Sequence, residues 1–114
     1  MSQHQFDSIE KSLHFIDQQA SEYAKAKSNR VHLEEFRKVK KAVLVRQAKE
    51  EGVKTAQERE SYAYSHEEYI ALLDGLKAAV ETEETLRWRL TAARENIDYR
   101  KHRGIYEMAQ MKLI

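Results

Sequence analysis

Proline is absent from this sequence, and glycine occurs only three times in 114 residues. Sheets and irregular folds need such residues at their turns, whereas helix interiors disfavour both of them. The composition is otherwise rich in strong helix formers, and 34% of the residues are charged, which suits long solvated helices. The sequence therefore predicts an all-α protein with very few turns.

The first predicted helix runs from about residue 5 to residue 50. Its first half has apolar residues at steps of three and four, which is typical of a helix that packs lengthwise on another helix. These residues are Phe6, Ile9, Leu13, Ile16, Ala20 and Tyr23. The pattern changes phase near residues 27–30, where Ser28 and Asn29 could cap a new helix. Because neither glycine nor proline interrupts the run, one long helix with a change of contact face is favoured over two helices.

A corner with a short helix is predicted over about residues 52–65. Gly52 is suited to end the first helix in a left-handed conformation. Two S/T-x-x-E sequences follow, and each predicts a helix start at which the hydroxyl accepts a first-turn N–H. Their cap residues are Thr55 with Glu58, and Ser65 with Glu68. A second long helix is predicted over about residues 66–110, and Gly75 inside it suggests the close approach of a neighbouring helix.

Folding back at this corner gives a long antiparallel helical hairpin, which is predicted to form a single domain over residues 1–114. Each long helix of a lone hairpin has one neighbour, which leaves much apolar side-chain area uncovered. Self-association into a coiled-coil-like four-helix arrangement would cover it. A homodimer or a higher homo-oligomer is therefore expected.

The charges alternate in blocks along the chain, although the net charge is only +1. Counted as Lys and Arg against Asp and Glu, residues 30–54 carry 8 against 4, residues 55–86 carry 2 against 8, and residues 87–114 carry 7 against 3. The hairpin places the basic segment 30–54 opposite the acidic segment 55–86. The basic residues between 37 and 46 are therefore better explained by pairing within the hairpin than by a DNA site.

The basic segment 87–103 lies opposite few carboxylates in this hairpin and is the best candidate binding surface. Arginine forks suit phosphate, and an indole ring can stack on a base. The residues predicted to bind nucleic acid or a partner are Arg87, Trp88, Arg89, Arg94, Arg100, Lys101 and Arg103. The alternative is that Trp88 packs on a partner helix, while the arginines are solvated or pair with Glu95 and Asp98.

Catalytic and metal-binding patterns are missing from the sequence. There is no cysteine, the five histidines lack ligand spacing, and no phosphate loop or nucleophile elbow occurs. The stretch Ser61–Tyr69 combines three tyrosines with His66 and two glutamates. A helix cap and corner packing explain it better than an acid–base set or a base-stacking platform. We expect no enzyme activity, metal ion, cofactor or small-molecule substrate.

No apolar stretch approaches the roughly 20 residues that span a bilayer. The N-terminus also lacks a basic segment followed by an apolar run, the pattern of a signal peptide. We therefore expect a cytoplasmic protein with no membrane partner.

Three segments carry a resemblance to a known group of proteins: 30–42, 56–69 and 84–90. Over about residues 22–101 the chain resembles small helical proteins of tailed bacteriophages, often encoded near recombination or single-strand-binding genes. The resemblance implies a non-catalytic accessory role in phage DNA recombination or replication, in the host cytoplasm, with DNA or a DNA-handling protein as partner. The alternatives are an adaptor or inhibitor that binds a host or phage protein without touching nucleic acid, and a purely self-assembling structural module.

Overall fold

The computed structural model describes residues 2–113 and contains three helices in that range. They are α1 (Gln3–Glu50), α2 (Ala56–Ser65) and α3 (Glu67–Lys112). No strand occurs among the described residues, so the prediction of an all-α protein is confirmed. Helix α1 continues through residues 27–30 without a break. No helix in the described part of the chain is long and apolar enough to cross a membrane.

Gly52 ends α1 through a pair of backbone hydrogen bonds. The Gly52 N–H donates to the Lys49 carbonyl at 3.1 Å, and the Val53 N–H donates to the Ala48 carbonyl at 3.0 Å. This is the Schellman arrangement, and it requires a left-handed residue at the position of Gly52. The φ of Gly52 is +92°, and a residue with a side chain would be strained in this backbone conformation. The glycine therefore fixes where the chain leaves α1.

Thr55 and His66 begin the two following helices. The Thr55 hydroxyl accepts the Glu58 N–H at 3.1 Å and caps α2. The predicted cap at Ser65 is wrong, because this residue still belongs to α2 and its hydroxyl donates to the Ser61 carbonyl at 2.7 Å. Instead, the His66 Nδ1 accepts the Glu68 N–H at 3.1 Å. The imidazole of His66 thus takes the capping role that the sequence assigned to the serine.

By its internal contacts the chain divides into two compact units. The terminal unit comprises residues 1–25 and 84–114, and the middle unit comprises residues 26–83. In each unit a segment of α1 pairs with a segment of α3, as a helical hairpin requires. Helices α1 and α3 both pass through the two units. The division does not test the prediction of a single domain, which therefore stays a prediction.

The middle unit contains the apolar core. Leu44 and Ala63 are fully buried, Tyr69 is 7% exposed, and Val45 packs against this cluster. The cluster lies where α2 meets the two long helices. It therefore anchors the corner, and the tyrosines of that corner serve packing: the ring of Tyr64 meets the ring of Tyr69 edge-on, with centroids 5.5 Å apart.

Ion pairs set the antiparallel register of the middle unit. Arg30 binds Glu83 through two hydrogen bonds, Nε to Oε2 at 2.6 Å and Nη2 to Oε1 at 2.9 Å. Lys40 pairs with Glu68 near the corner. The Glu83 carboxylate raises the pKa of the Arg30 guanidinium further above its usual range. Two cations of the basic segment of α1, Arg30 and Lys40, are thus matched to acidic residues of α3, as the charge blocks predict.

The pair between Lys40 and Glu68 makes stability depend on pH. The Nζ–Oε2 distance is 2.5 Å, and the ammonium lowers the pKa of Glu68 below its ordinary value of 4.5. A carboxylate whose pKa is lower in the folded state than in the unfolded state stabilises the fold at any pH above its unfolded-state pKa. This contribution is lost as the pH falls through its folded-state pKa. We expect Glu68→Gln to lower the melting temperature at pH 7 and to melt like the wild type at about pH 2. A difference that stayed constant over this range would contradict the assignment.

The seam of α1 in the terminal unit is partly polar where the sequence predicts an apolar one. Gln5 and Ser12 are buried, whereas Phe6 is 49% exposed and Leu13 is 53% exposed. The seam of α1 is therefore rotated slightly from the predicted one. Gln5, Ser12 and Gln19 replace the predicted Phe6, Leu13 and Ala20, whereas Ile9, Ile16 and Tyr23 keep their predicted places.

Hydrogen bonds across the helix pair explain this rotation. The Asn96 amide donates to the hydroxyls of Ser8 at 3.0 Å and Ser12 at 2.8 Å. The Gln5 amide donates to a Glu107 carboxylate oxygen at 3.1 Å. Buried polar groups need such partners, so they turn this side of α1 towards α3 and leave Phe6 outside.

Candidate nucleic-acid interface

The predicted binding residues lie on α3 in the terminal unit, but they do not share one face. Residues seven apart on a helix lie on the same face, about 10.5 Å from each other along the axis. Three exposed cations have this spacing and form what we call the basic face: Arg87, Arg94 and Lys101. Arg89 and Arg103 lie on another face of α3, fourteen residues apart.

Arg87 and Trp88 form one end of the basic face. The Arg87 guanidinium lies 4.7 Å from the centre of the indole ring, and its Nη2 is 2.7 Å from a Glu84 carboxylate oxygen. The indole of Trp88 is 59% exposed. The ring therefore presents an accessible surface next to a charge, which is the combination that stacks on nucleic-acid bases.

A groove of about 300 Å³ runs beside Arg87 and Arg94. The Thr91 hydroxyl, between these two arginines in the sequence, donates to the Arg87 carbonyl at 2.8 Å. The groove is lined by Ile16, Ala20 and Tyr23 from α1 and by Leu90 and Thr91 from α3, besides the two arginines. An occupant would meet apolar side chains at its floor and guanidinium groups at its rim.

Arg100 is engaged within the helix pair. It donates to the side-chain amide oxygen of Gln5 at 3.1 Å and lies within hydrogen-bonding distance of the His4 ring, 3.2 Å from its Nε2. It also donates to the Asn96 side-chain oxygen at 3.4 Å. The structure therefore gives Arg100 a role in joining α1 to α3, which differs from the phosphate contact predicted for it.

Arg103 is held on its own helix. Its Nε lies 3.6 Å from a Glu107 carboxylate oxygen, and its guanidinium is 5.8 Å from the ring centre of Tyr106. Among the described residues no ion pair joins an arginine to Glu95 or Asp98, the partners that the alternative interpretation assigned. The acidic partners come from Glu84 and Glu107 instead.

The corner of the middle unit contains a second basic groove. Its lining comprises Arg37, Lys38, Lys41, Tyr64 and Tyr69. Two of its cations already have partners, because Lys38 pairs with Glu35 at 3.2 Å and Lys41 pairs with Glu60 at 3.5 Å. The hydroxyl of Tyr64 raises the pKa of Lys41. Lys41 is thus matched to a carboxylate of α2, as the charge blocks predict, whereas Lys38 pairs within α1.

Within residues 2–113 no cluster of three or more His, Asp or Glu side chains is arranged to hold a metal ion. His66 and Glu68, the centre of the acid–base alternative, are joined by the capping hydrogen bond. No family model matches this chain, and neither a curated protein nor a solved structure is significantly similar to it.

Sequence reasoning missed the apolar half of the groove. Tyr23 and Leu90 belong to the seams of their helices, so they were expected to be covered by the opposite helix. Their position beside the arginines depends on the register between α1 and α3, which the hydrogen bonds of Asn96 help to set. The seven-residue spacing of the basic face, in contrast, is present in the sequence itself.

Proposed function

We propose that this protein is a non-catalytic accessory factor that binds nucleic acid through the basic face of its terminal unit. The observation that carries the proposal is the alignment of three exposed cations along one side of α3, beside a groove and a half-exposed indole. Cations in such a row can contact phosphates along one strand, and Trp88 can stack on an unpaired base. Single-stranded nucleic acid is therefore the favoured ligand.

The sequence resemblance supplies the biological setting of the proposal. Small helical phage proteins encoded near recombination and single-strand-binding genes would meet single-stranded DNA in the host cytoplasm. We propose a role in phage DNA recombination or replication on this basis. The proposed role needs a basic surface and no reacting groups.

Self-association is the second part of the proposal, and the surface area of the chain supports it. The chain exposes 8491 Å². A compact monomer of 13.4 kDa is expected to expose about 6,500 Å², so roughly 2,000 Å² lies in excess. A stable interface covers about 800 Å² on each partner. The excess is enough for a homodimer built as a four-helix arrangement.

Binding of a labelled single-stranded oligonucleotide at several salt concentrations tests the proposed nucleic-acid function. Each phosphate contact on a single strand contributes about −0.7 to the slope of log K against log salt concentration. Three contacts predict a slope of about −2. We expect Arg94→Glu with Lys101→Glu to weaken binding at least tenfold and to flatten the slope by about 1.4.

Lys49→Glu with Lys54→Glu is the matched control, because it changes the net charge equally at exposed residues of the middle unit and the corner. We expect it to bind like the wild type. Fluorescence of Trp88, the only tryptophan, gives a second readout. The proposal fails if the wild type does not bind at low salt, or if both double variants lose affinity equally.

The groove also favours a second candidate function, an adaptor that binds an acidic protein segment. Its floor is apolar at Ile16, Tyr23 and Leu90, which suits a helix that carries both apolar and acidic side chains. A partner recovered after nuclease treatment, and lost with Arg94→Glu, would favour the adaptor over the nucleic-acid binder.

A further inference from the structure

One side of the middle unit combines large exposed apolar residues with small ones. On α1, Phe36, Val39 and Val43 are 42%, 55% and 38% exposed. Each of them precedes by one position a residue that faces α3. On α3 the exposed residues that stand one position before a residue facing α1 are small. They are Ala71, Gly75 and Ala78. The two helices run antiparallel and face each other, so the same one-residue step brings both sets to the same side of the pair.

We propose that this side, which we call the dimer face, binds the dimer face of a second copy. The inference rests on the proposed self-association and identifies its surface. A two-fold axis parallel to the helices would lay the α1 ridge of each copy on the α3 groove of the other. The dimer therefore contains two identical contacts between an α1 ridge and an α3 groove. In each of them the large side chains of one copy fill the space above the small residues of its partner.

Gly75 supports the choice of α3 as the groove. Glycine weakens a helix interior, and a Cβ built at Gly75 would have no atom within 4 Å in the protomer. Nothing inside the protomer therefore requires a glycine at this position. A second helix that lies close to α3 would require one, because a side chain at Gly75 would hold the two backbones apart.

The register of the middle unit places matching groups opposite each other. The pairs Arg30 with Glu83 and Lys40 with Glu68 put residue 36 level with residue 75. A two-fold axis parallel to the helices does not change the position of a residue along them, so Phe36 of each copy meets Gly75 of the other.

The exposed area of the chain and the two shapes on the dimer face favour a second copy as the occupant. The uncovered area of each protomer exceeds what a standard interface needs from one partner. A face that contains both a ridge and its complementary groove can satisfy this need with identical chains, whereas a different protein would have to supply both shapes. A foreign partner is instead an outcome that the experiment below can reveal.

Sedimentation equilibrium of charged variants tests the dimer face. We expect Val39→Glu with Ala78→Glu to convert a dimeric wild type into a monomer. The matched control is Ile70→Glu with Val80→Glu, because these residues are 47% and 39% exposed on the opposite side of α3. The control variant should remain dimeric. Helical content measured by circular dichroism shows whether each variant is folded.

Disulfide cross-linking tests the same contact without adding charge, because the chain has no cysteine of its own. Phe36→Cys mixed with Gly75→Cys should give a covalent dimer on a non-reducing gel, and either variant alone should not. Lys38→Cys mixed with Leu73→Cys, at a similar level on the opposite side, should stay monomeric. Cross-linking of this control mixture instead, or a dimer that survives the charges on the dimer face, overturns the inference while self-association stands. A monomeric wild type overturns both.

Discussion

Leu44→Ala is expected to lower the free energy of unfolding by about 2–5 kcal/mol, the cost of truncating a fully buried leucine. Leu44 is 0% exposed and is the largest fully buried side chain among the described residues. It contacts the cluster that joins α2 to the long helices. Its loss would leave a cavity at the corner where α2 meets the long helices. Urea denaturation followed by circular dichroism measures the change.

Leu73→Ala is the control for this prediction, because Leu73 is 37% exposed on the same hairpin. Truncating a side chain that already keeps part of its surface in water should cost clearly less than truncating a fully buried one. Equal destabilisation by the two variants would show that the cluster around Leu44 does not hold the corner.

Glu83→Gln is expected to cause the second large loss of stability. Glu83 is 6% exposed and accepts two hydrogen bonds from Arg30, so the substitution leaves a half-buried guanidinium without its main countercharge. The remaining carboxylate on this guanidinium, that of Glu34, is more exposed, so the charge has lost water without keeping an equivalent partner. The melting temperature should fall clearly.

Glu34→Gln is the control, because it also removes a carboxylate from Arg30, but from a more exposed position. Glu34 binds the same guanidinium at 3.0 Å, but its side chain is 41% exposed. Water can therefore replace part of what the carboxylate provides, and we expect a much smaller drop in melting temperature. A larger drop for Glu34→Gln than for Glu83→Gln would reverse the proposed roles of the two carboxylates.

The helices could be predicted from sequence because their signals are local. The absence of proline keeps α1 intact, and Gly52 ends it through its own backbone conformation. Thr55 caps α2 in the predicted way. Ser65 was assigned wrongly because a serine can cap the next helix or bond back to its own. The choice depends on whether a neighbour such as His66 can accept the first-turn N–H.

The contact faces were harder to predict because they depend on distant partners. Phe6 and Leu13 look like seam residues until Asn96 supplies partners for the serines beside them. The same limit applies to the candidate site. The spacing of the basic face is visible in the sequence, whereas the engagement of Arg100 by Gln5 requires the register of the helix pair.

The solution mass of the wild-type chain tests the central claim most directly, namely that these paired helices need a second copy to cover their apolar residues. Sedimentation equilibrium at micromolar concentration should give twice the protomer mass of 13.4 kDa. Dilution should shift this mass towards the protomer as helicity is lost. A stable 13.4 kDa species that melts cooperatively at every concentration would contradict the account.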